Sequence, residues 1–280
     1  MRIFLQVPEG LKTEVLKMAA KIEKQGNEVI ISCEPCYGAC DIRTDEAKRL
    51  GCGKIMHYGH SKFMDSEFPV EYFPAEHDDI EIPEFEMQHE NIGLVTTIQH
   101  LKCMEKIKQI LEKKGKNVFI GGQILGCDLS NAKAIENKVD CFLFFGSGRF
   151  HAIGLALSTS KPVFVLDIEK RILKKTDADI FIRQKIAAQE LARGSKKIGI
   201  LVSTKPGQCK IESAANIRNI LKEKGIESFI LSMDEIKPEK LEGFELDAYI
   251  NTACPRIAIE NRTEFKKPIL NTDEAMEIFK

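Results

Sequence analysis

No stretch of the 280-residue sequence approaches the roughly 20 consecutive apolar residues that a membrane helix needs. The opening residues, MRIFLQVPEG, have neither a basic leader region nor a cleavable apolar segment, and read instead as a strand and a turn. An excess of charge is missing too: 41 Lys plus Arg stand against 42 Asp plus Glu, a formal net charge of −1. Such a chain has no global basic field with which to hold a nucleic-acid backbone, leaving only local patches. The expectation is a soluble, intracellular, cytoplasmic protein with no membrane and no direct nucleic-acid partner. At this length, with 30% of residues charged, the chain can bury a substantial core divided among about two or three small domains.

Nine cysteines is an odd count in a chain too large to depend on disulfide staples. In a reducing compartment such thiols serve as small buried apolar residues or as metal ligands. Cys33, Cys36, Cys52, Cys103, Cys141 and Cys209 are assigned to the first group, with Cys141 inside DCFLFF and Cys103 inside a helical pattern as the plainest core positions. The other three share a design. Residues 27–41, NEVIISCEPCYGACD, end an apolar β-branched run in a loop whose last thiol is Cys40; KNVFIGGQILGCD ends a run at Cys127, and DAYINTACPR ends one at Cys254. A cysteine just beyond a buried-looking strand occupies the usual position of sites in α/β proteins.

A repeat organises the rest. RIFLQV, NIGLVTT and KIGILVS are short β-like runs, each leading through a turn to an amphipathic helix that stops at a glycine suited to a C-cap: Gly26, Gly115 and Gly225. A second strand follows at once (NEVIIS, KNVFIGG, IESFILS), and a later one closes each copy (KIMHY, CFLFF, AYIN). Strand, helix, strand implies a right-handed crossover and a parallel sheet. The acidic segment PAEHDDIEIPEFEMQHE separates copies one and two, and the charged, helix-like IRQKIAAQELARGSKK separates two and three. The expected fold class is therefore α/β: three pseudo-symmetric small domains at 1–90, 91–193 and 194–280, each a short, mainly parallel sheet flanked by helices, around a central site. The symmetry is imperfect, since Cys40 and Cys127 follow the second strand of their copies and Cys254 follows the closing strand of its own.

Three thiolates from three domains suit a four-iron four-sulfur cluster with one iron open to substrate. Zinc is the rival metal, although a dispersed Cys₃ set is unusual for it. A purely local cluster on Cys33, Cys36 and Cys40 is a further alternative, its C-x₂-C-x₃-C spacing reversing that of radical S-adenosylmethionine enzymes.

QVPEGL, CYGACD, the Gly-His-Ser turn at 59–61, ILGCD, GSGRFHAIGLAL, STKPGQ and NTACPRIAIE together resemble the 2-(3-amino-3-carboxypropyl)histidine synthase family, which performs the first step of diphthamide synthesis. The motifs occur in the family's order over nearly the whole chain. The resemblance implies one four-iron four-sulfur cluster per chain held by Cys40, Cys127 and Cys254, S-adenosylmethionine as co-substrate, an electron donor, a homodimer, and translation elongation factor 2 as protein substrate. It also implies reductive cleavage toward the aminocarboxypropyl arm and transfer of that arm to the imidazole C2 of one histidine.

The remaining motifs are then candidates for the S-adenosylmethionine pocket. Gly146, Ser147 and Gly148 form a small-residue turn where backbone amides can approach a ligand, or an ordinary strand-to-helix turn. Arg149 and His151 suit the methionyl carboxylate or the incoming substrate, with a structural role the alternative for His151. In STKPGQ, the pair Ser203 and Thr204, then Lys205, Gly207 and Gln208, stand at a strand end without the G-x₄-G-K-[ST] pattern of a phosphate loop. Gln208 is a nucleoside or carboxylate contact and Lys205 a charge partner. Glu9 lies in the matching first turn, Gly59, His60 and Ser61 in the next, and Arg256 follows Cys254 closely enough to hold an anion. A quinolinate synthase-like enzyme and a non-catalytic electron-relay or scaffold subunit are the competing readings.

Overall fold

The structure, a computed structural model, describes residues 1–75 and 80–280, and its β-strands form three small sheets. The first contains β1 (Arg2–Gln6), β2 (Glu28–Ile31), β3 (Lys54–Gly59) and β4 (Val70–Pro74), with helices α1 (Val15–Glu23) and α2 (Thr44–Arg49). Its order is β2-β1-β3-β4 and every pairing is parallel. The second holds β5 (Asn91–Thr96), α3 (Met104–Lys113), β6 (Asn117–Gln123), α4 (Ser130–Ile135), β7 (Cys141–Phe145), α5 (Phe150–Ser158), β8 (Val163–Asp167) and β9 (Ile172–Lys175). Its order is β6-β5-β7-β8-β9, antiparallel only between β8 and β9. After α6 (Asp179–Arg193) the third contains β10 (Lys197–Ser203), α7 (Ile211–Glu223), β11 (Glu227–Met233), β12 (Ala248–Asn251), α8 (Arg256–Glu260), β13 (Ile269–Asn271) and α9 (Thr272–Phe279), with order β11-β10-β12-β13. The α/β class and the mainly parallel sheets follow the reading of the sequence.

Central strands are the continuous apolar runs, because a parallel sheet is covered on both faces: all five residues of β7, CFLFF, are buried. On one face of the first sheet Ile3 and Leu5 meet Val15, Ala19 and Ile22 of α1, and on the other Phe4 and Ile55 meet Ile42 and Ala47. The helices stop where expected, at Gly26, Gly115 and Gly225, with φ of 82°, 76° and 73° in the left-handed region that a C-cap uses. Cys103 and Cys141 are core, as are Cys36 and Cys52, but Cys33 and Cys209 are exposed and pack in no core. The strands before Cys40 and Cys127 are also less buried than their sequences suggest. β2 and β6 are edge strands, where β-branched side chains cover one flank of the sheet while the other stays open to solvent.

The charged segment at 182–197 is largely the C-terminal part of α6, whose Ala188 and Ala192 are buried with Ile198, Ile200 and Leu270. Residues 76–79 of the acidic separator lie outside the described residues, while Phe85 and Met87 from its end pack on Ile92 and Leu94. The chain divides into two compact units, Met1–Glu76 with Ser203–Cys209, and His77–Val202 with Lys210–Lys280. The loop read as the opening of the third copy thus packs within the unit of the first sheet. The limits 1–90, 91–193 and 194–280 stand as a proposal; α6, which they place in the second domain, packs on the core of the third sheet. Among the described residues no helix is long and apolar enough to cross a membrane.

Candidate functional site

In the first unit the chain around Cys40 is held from two directions. β1 ends in Gln6, fully buried, whose Nε2 donates to the Asp41 carbonyl at 2.6 Å. The Asp41 carboxylate, itself without solvent exposure, meets Lys205 Nζ at 2.5 Å and Arg43 Nε at 3.1 Å. Lys205 is buried and lies 5.0 Å from the centre of the Tyr37 ring, so its charge is answered by a carboxylate and an aromatic face. This places two charges out of water, an arrangement maintained only with close pairing.

The same loop, 205–208, backs onto Cys40. Gly207 N donates to the Cys40 carbonyl at 2.8 Å, and a Cβ on Gly207 would lie 2.6 Å from the Cys40 Cα, so any side chain there would push the loop away. Gln208 Nε2 donates to Cys40 Sγ at 3.3 Å. Burial pushes the Cys40 thiol up, and the Gln208 amide opposes this by favouring the thiolate. A half-buried thiol with an amide donor aimed at its sulfur suits a metal ligand, since a bound cation removes the remaining cost of the thiolate.

In the second unit Cys127 is exposed, in a tight turn where Leu125 and Asp128 exchange backbone hydrogen bonds of 2.9 and 3.1 Å. The residue before it must be glycine: a Cβ on Gly126 would fall 1.9 Å from Cε1 of Phe150. Phe150 carries the Arg256 guanidinium at 5.3 Å from its ring centre, so one aromatic side chain connects the Cys127 turn to the loop of Cys254. That loop is fixed from strand ends. Asn251 Nδ2 donates to the Cys254 carbonyl at 2.9 Å, Asn251 Oδ1 accepts from Ala253 N at 3.1 Å, and Asn271 Nδ2 donates to the Pro255 carbonyl at 3.1 Å.

The other expected residues are distributed as follows. Gly146, Ser147, Gly148 and Arg149 join β7 to α5, with Arg149 exposed. His151 packs between Phe144 and Phe150, its Nδ1 without a hydrogen-bond partner among the described residues. Burial, and then the charge of Arg256, lower its pKa to about 4, so it is neutral at pH 7. Arg256 also ion-pairs with Glu260. Glu9 is exposed and paired with Lys12 at 2.7 Å; Ser203 is buried, its Oγ accepting from Lys205 N at 3.3 Å, and Thr204 is exposed. Gly59 ends β3, followed by His60 and the half-buried Ser61. Reading the sequence missed Gln6, Asp41, Asn251 and Asn271. Three of these had a signal: each is a polar residue closing a buried apolar strand, at 0%, 2% and 7% exposure for Gln6, Asn251 and Asn271.

Fold and site together define an α/β protein of three small sheets, with cysteines presented on strand-end loops and at least one sulfur met by an amide donor. A family model described as "Putative diphthamide synthesis protein" matches residues 7–280. The chain is 36% identical to 2-(3-amino-3-carboxypropyl)histidine synthase of Pyrococcus horikoshii, covering 98% of this chain and 84% of that one. It is 31% identical to the synthase of the same name from Methanocaldococcus jannaschii, covering 98% and 83%. Crystal structures of Dph2 from Pyrococcus horikoshii superpose with TM-scores of 0.90, and 0.89 for the form with a 4Fe-4S cluster, each at 33% identity over 99% of this chain and 86% of that one. This chain belongs to the diphthamide synthesis family.

Proposed function

We propose that the chain transfers the 3-amino-3-carboxypropyl group of S-adenosylmethionine to the imidazole C2 of a histidine on translation elongation factor 2, the first step of diphthamide synthesis. The observation that carries this reading at the site is Cys40, clamped by Gly207 and hydrogen-bonded at sulfur by Gln208, in a chain that matches the synthases over nearly its full length. Cys40, Cys127 and Cys254 are the ligands we assign to a four-iron four-sulfur cluster; as thiols outside any disulfide, on three loops, they have the donor chemistry it requires. When bound and reduced, such a cluster supplies one electron to the sulfonium and a coordination position at the iron that lacks a thiolate.

The sulfur bond to the aminocarboxypropyl arm then breaks, giving methylthioadenosine and a carbon radical that adds to imidazole C2. The electron is recovered and the C2 proton lost, so the overall transfer is redox-neutral. What the chain must contribute is orientation, because the position of the sulfonium decides which of its bonds is cut. The turn at Gly146, Ser147 and Gly148 and the exposed Arg149 suit the amino acid end of the co-substrate, the guanidinium fork matching its carboxylate. Gln208 and Asp41 hold Cys40. The Lys205 charge is committed to Asp41, and we assign that residue to supporting the loop. Glu9, Gly59, His60, Ser61, Ser203, Thr204 and Arg256 complete the proposed lining, with His151, neutral among aromatic rings, as a wall of the turn. A cytoplasmic homodimer served by a separate electron donor completes the proposal.

The test is anaerobic incubation with dithionite and S-adenosylmethionine. Methylthioadenosine is the expected nucleoside, and label from the carboxyl group should pass to elongation factor 2 but not to a factor whose target histidine is alanine. Recovery of 5′-deoxyadenosine as the main nucleoside, or equal labelling of the altered factor, would overturn the assignment.

A further inference from the structure

A second cluster of ligand-type side chains lies in the first unit, two of its three members, Cys36 and His57, having no role in the scheme above. Cys36, assigned from sequence to the core, contributes its sulfur, and His57 and His60 one ring nitrogen each, to a group whose three atoms all lie within 4.8 Å of one another. Cys36 is 2% exposed and His57 fully buried, while His60 is half-buried. Local structure brings them together. His57 is on central strand β3; Gly59, with φ of 96°, turns the chain at the strand end, and His60 returns over His57 with ring centres 5.2 Å apart.

The chain alone does not satisfy this pocket. His57 Nε2 and His60 Nδ1 share one hydrogen bond of 3.0 Å, which leaves His57 Nδ1 buried with no partner among the described residues. Tyr72 packs edge-on to His57 at 5.7 Å, and its hydroxyl is buried and equally unpartnered. The Cys36 thiol makes a long contact, 3.7 Å, to the Gly38 carbonyl. Polar atoms in a protein interior are nearly always answered by a partner; a cation between Cys36, His57 and His60 would answer the thiol and one ring nitrogen of each histidine.

We propose that Cys36, His57 and His60 form a mononuclear site for a borderline-soft divalent ion, zinc by its donor set, separate from the four-iron cluster. Thiolate and neutral imidazole are the ligands zinc favours, and three of them leave one position for a small molecule or water. Binding as thiolate and neutral imidazoles releases one proton, from Cys36 sulfur. The side chain of His60 reaches the surface and gives the ion a way in. Because Cys36 and Cys40 share one loop, the bound ion would tie that loop to β3 and fix the approach to Cys40. The proposal rests on this geometry and shares only His60 with the lining assigned above.

The test uses untagged, anaerobically prepared full-length protein with its iron measured in parallel, so that the fate of the four-iron cluster is read separately. Zn²⁺ is titrated by metal analysis after gel filtration, and Co²⁺ is added as a spectroscopic probe. The expected result is about one Zn²⁺ per chain and a thiolate-to-Co²⁺ charge-transfer band. Both should be lost in Cys36→Ser and in His57→Gln, retained in Cys33→Ser and Cys209→Ser, and unaffected by Cys127→Ser. His60→Asn, at the half-buried edge, provides a variant that keeps the core if Cys36→Ser does not fold. In the wild type Zn²⁺ should raise the melting temperature, and in His60→Asn it should not. Absence of stoichiometric Zn²⁺ in the wild type, or a cobalt band that survives in Cys36→Ser and His60→Asn, overturns the proposal whatever the iron content.

Discussion

Individual side chains carry two consequences that can be measured. The amide of Gln208 donates to the sulfur of Cys40, the ligand we propose, at 3.3 Å, and a hydrogen bond to a ligand sulfur stabilises the more reduced, more negative state of an iron–sulfur centre. Gln208→Leu should therefore leave the cluster in place and move its midpoint potential negative by an amount on the order of tens of millivolts, read by anaerobic redox titration. An unchanged potential with normal iron content would remove Gln208 from the cluster's surroundings. The second consequence concerns His151, whose pKa is about 4 in the fold against an ordinary 6.5. Above pH 6.5 neither the folded nor the unfolded chain protonates it, and its contribution is complete. As pH falls through 6.5 the unfolded chain takes up a proton that the folded one refuses, so stability is lost progressively until about pH 4. Between pH 7 and 5 the loss is roughly 2 kcal/mol. Urea unfolding at the two values should show a smaller difference for His151→Leu than for the wild type; equal differences would show that His151 does not titrate as described.

At the scale of elements, reading by period succeeded where a strand is central or a helix has a clear cap, and failed where neighbours decide. RIFLQ, CFLFF and KIGIL are continuous apolar runs because both faces are covered, and the three glycines stop their helices with positive φ. β13 is three residues long and β4 ends in Pro74, too short or too broken to display a period of two. The Cys40 loop was legible as a site, but its clamp was not, since Lys205 reaches Asp41 from 164 residues away and no local pattern encodes that distance. The Cys254 loop shows the same dependence. α8, β13 and α9 are locked together by Arg262, whose Nη2 donates to both Glu274 carboxylate oxygens at 2.6 and 2.7 Å, while Nε and Nη1 donate to the Ala258 and Ile269 carbonyls. Glu274 also accepts from Asn271 N at 2.9 Å, the residue that holds Pro255. Arg262→Ala strands a buried carboxylate and should cost roughly 3–5 kcal/mol, measured by denaturant unfolding. Arg262→Met with Glu274→Leu, which removes both charges and keeps the volume, should recover a substantial part of that loss. If the double variant is the weaker of the two, the pair is not the lock that holds this loop.

For the whole molecule, charge balance is the property that reaches furthest from the site. With 41 basic and 42 acidic side chains and ion pairs spread over much of the surface, the protein has no long-range field of one sign to draw in a macromolecular partner. Docking on elongation factor 2 must then depend on shape and short-range contacts, which salt screens weakly, and not on steering, which falls steeply with ionic strength. A protein substrate has to present one histidine to a cluster site, which favours a protruding loop and a modest buried area. We therefore expect kcat/KM for the factor to fall by less than about threefold as salt rises from roughly 50 to 300 mM, with KM carrying the change. The contrasting case is instructive: a protein that held six or more phosphates of a nucleic acid would lose about three orders of magnitude in affinity over a comparable range. Initial rates of label transfer across a salt series, with and without added unspecific RNA, distinguish the two. A steep salt dependence, or inhibition by RNA at low salt, would reveal a local basic patch that governs encounter and would place the docking surface among the lysines of a single sheet.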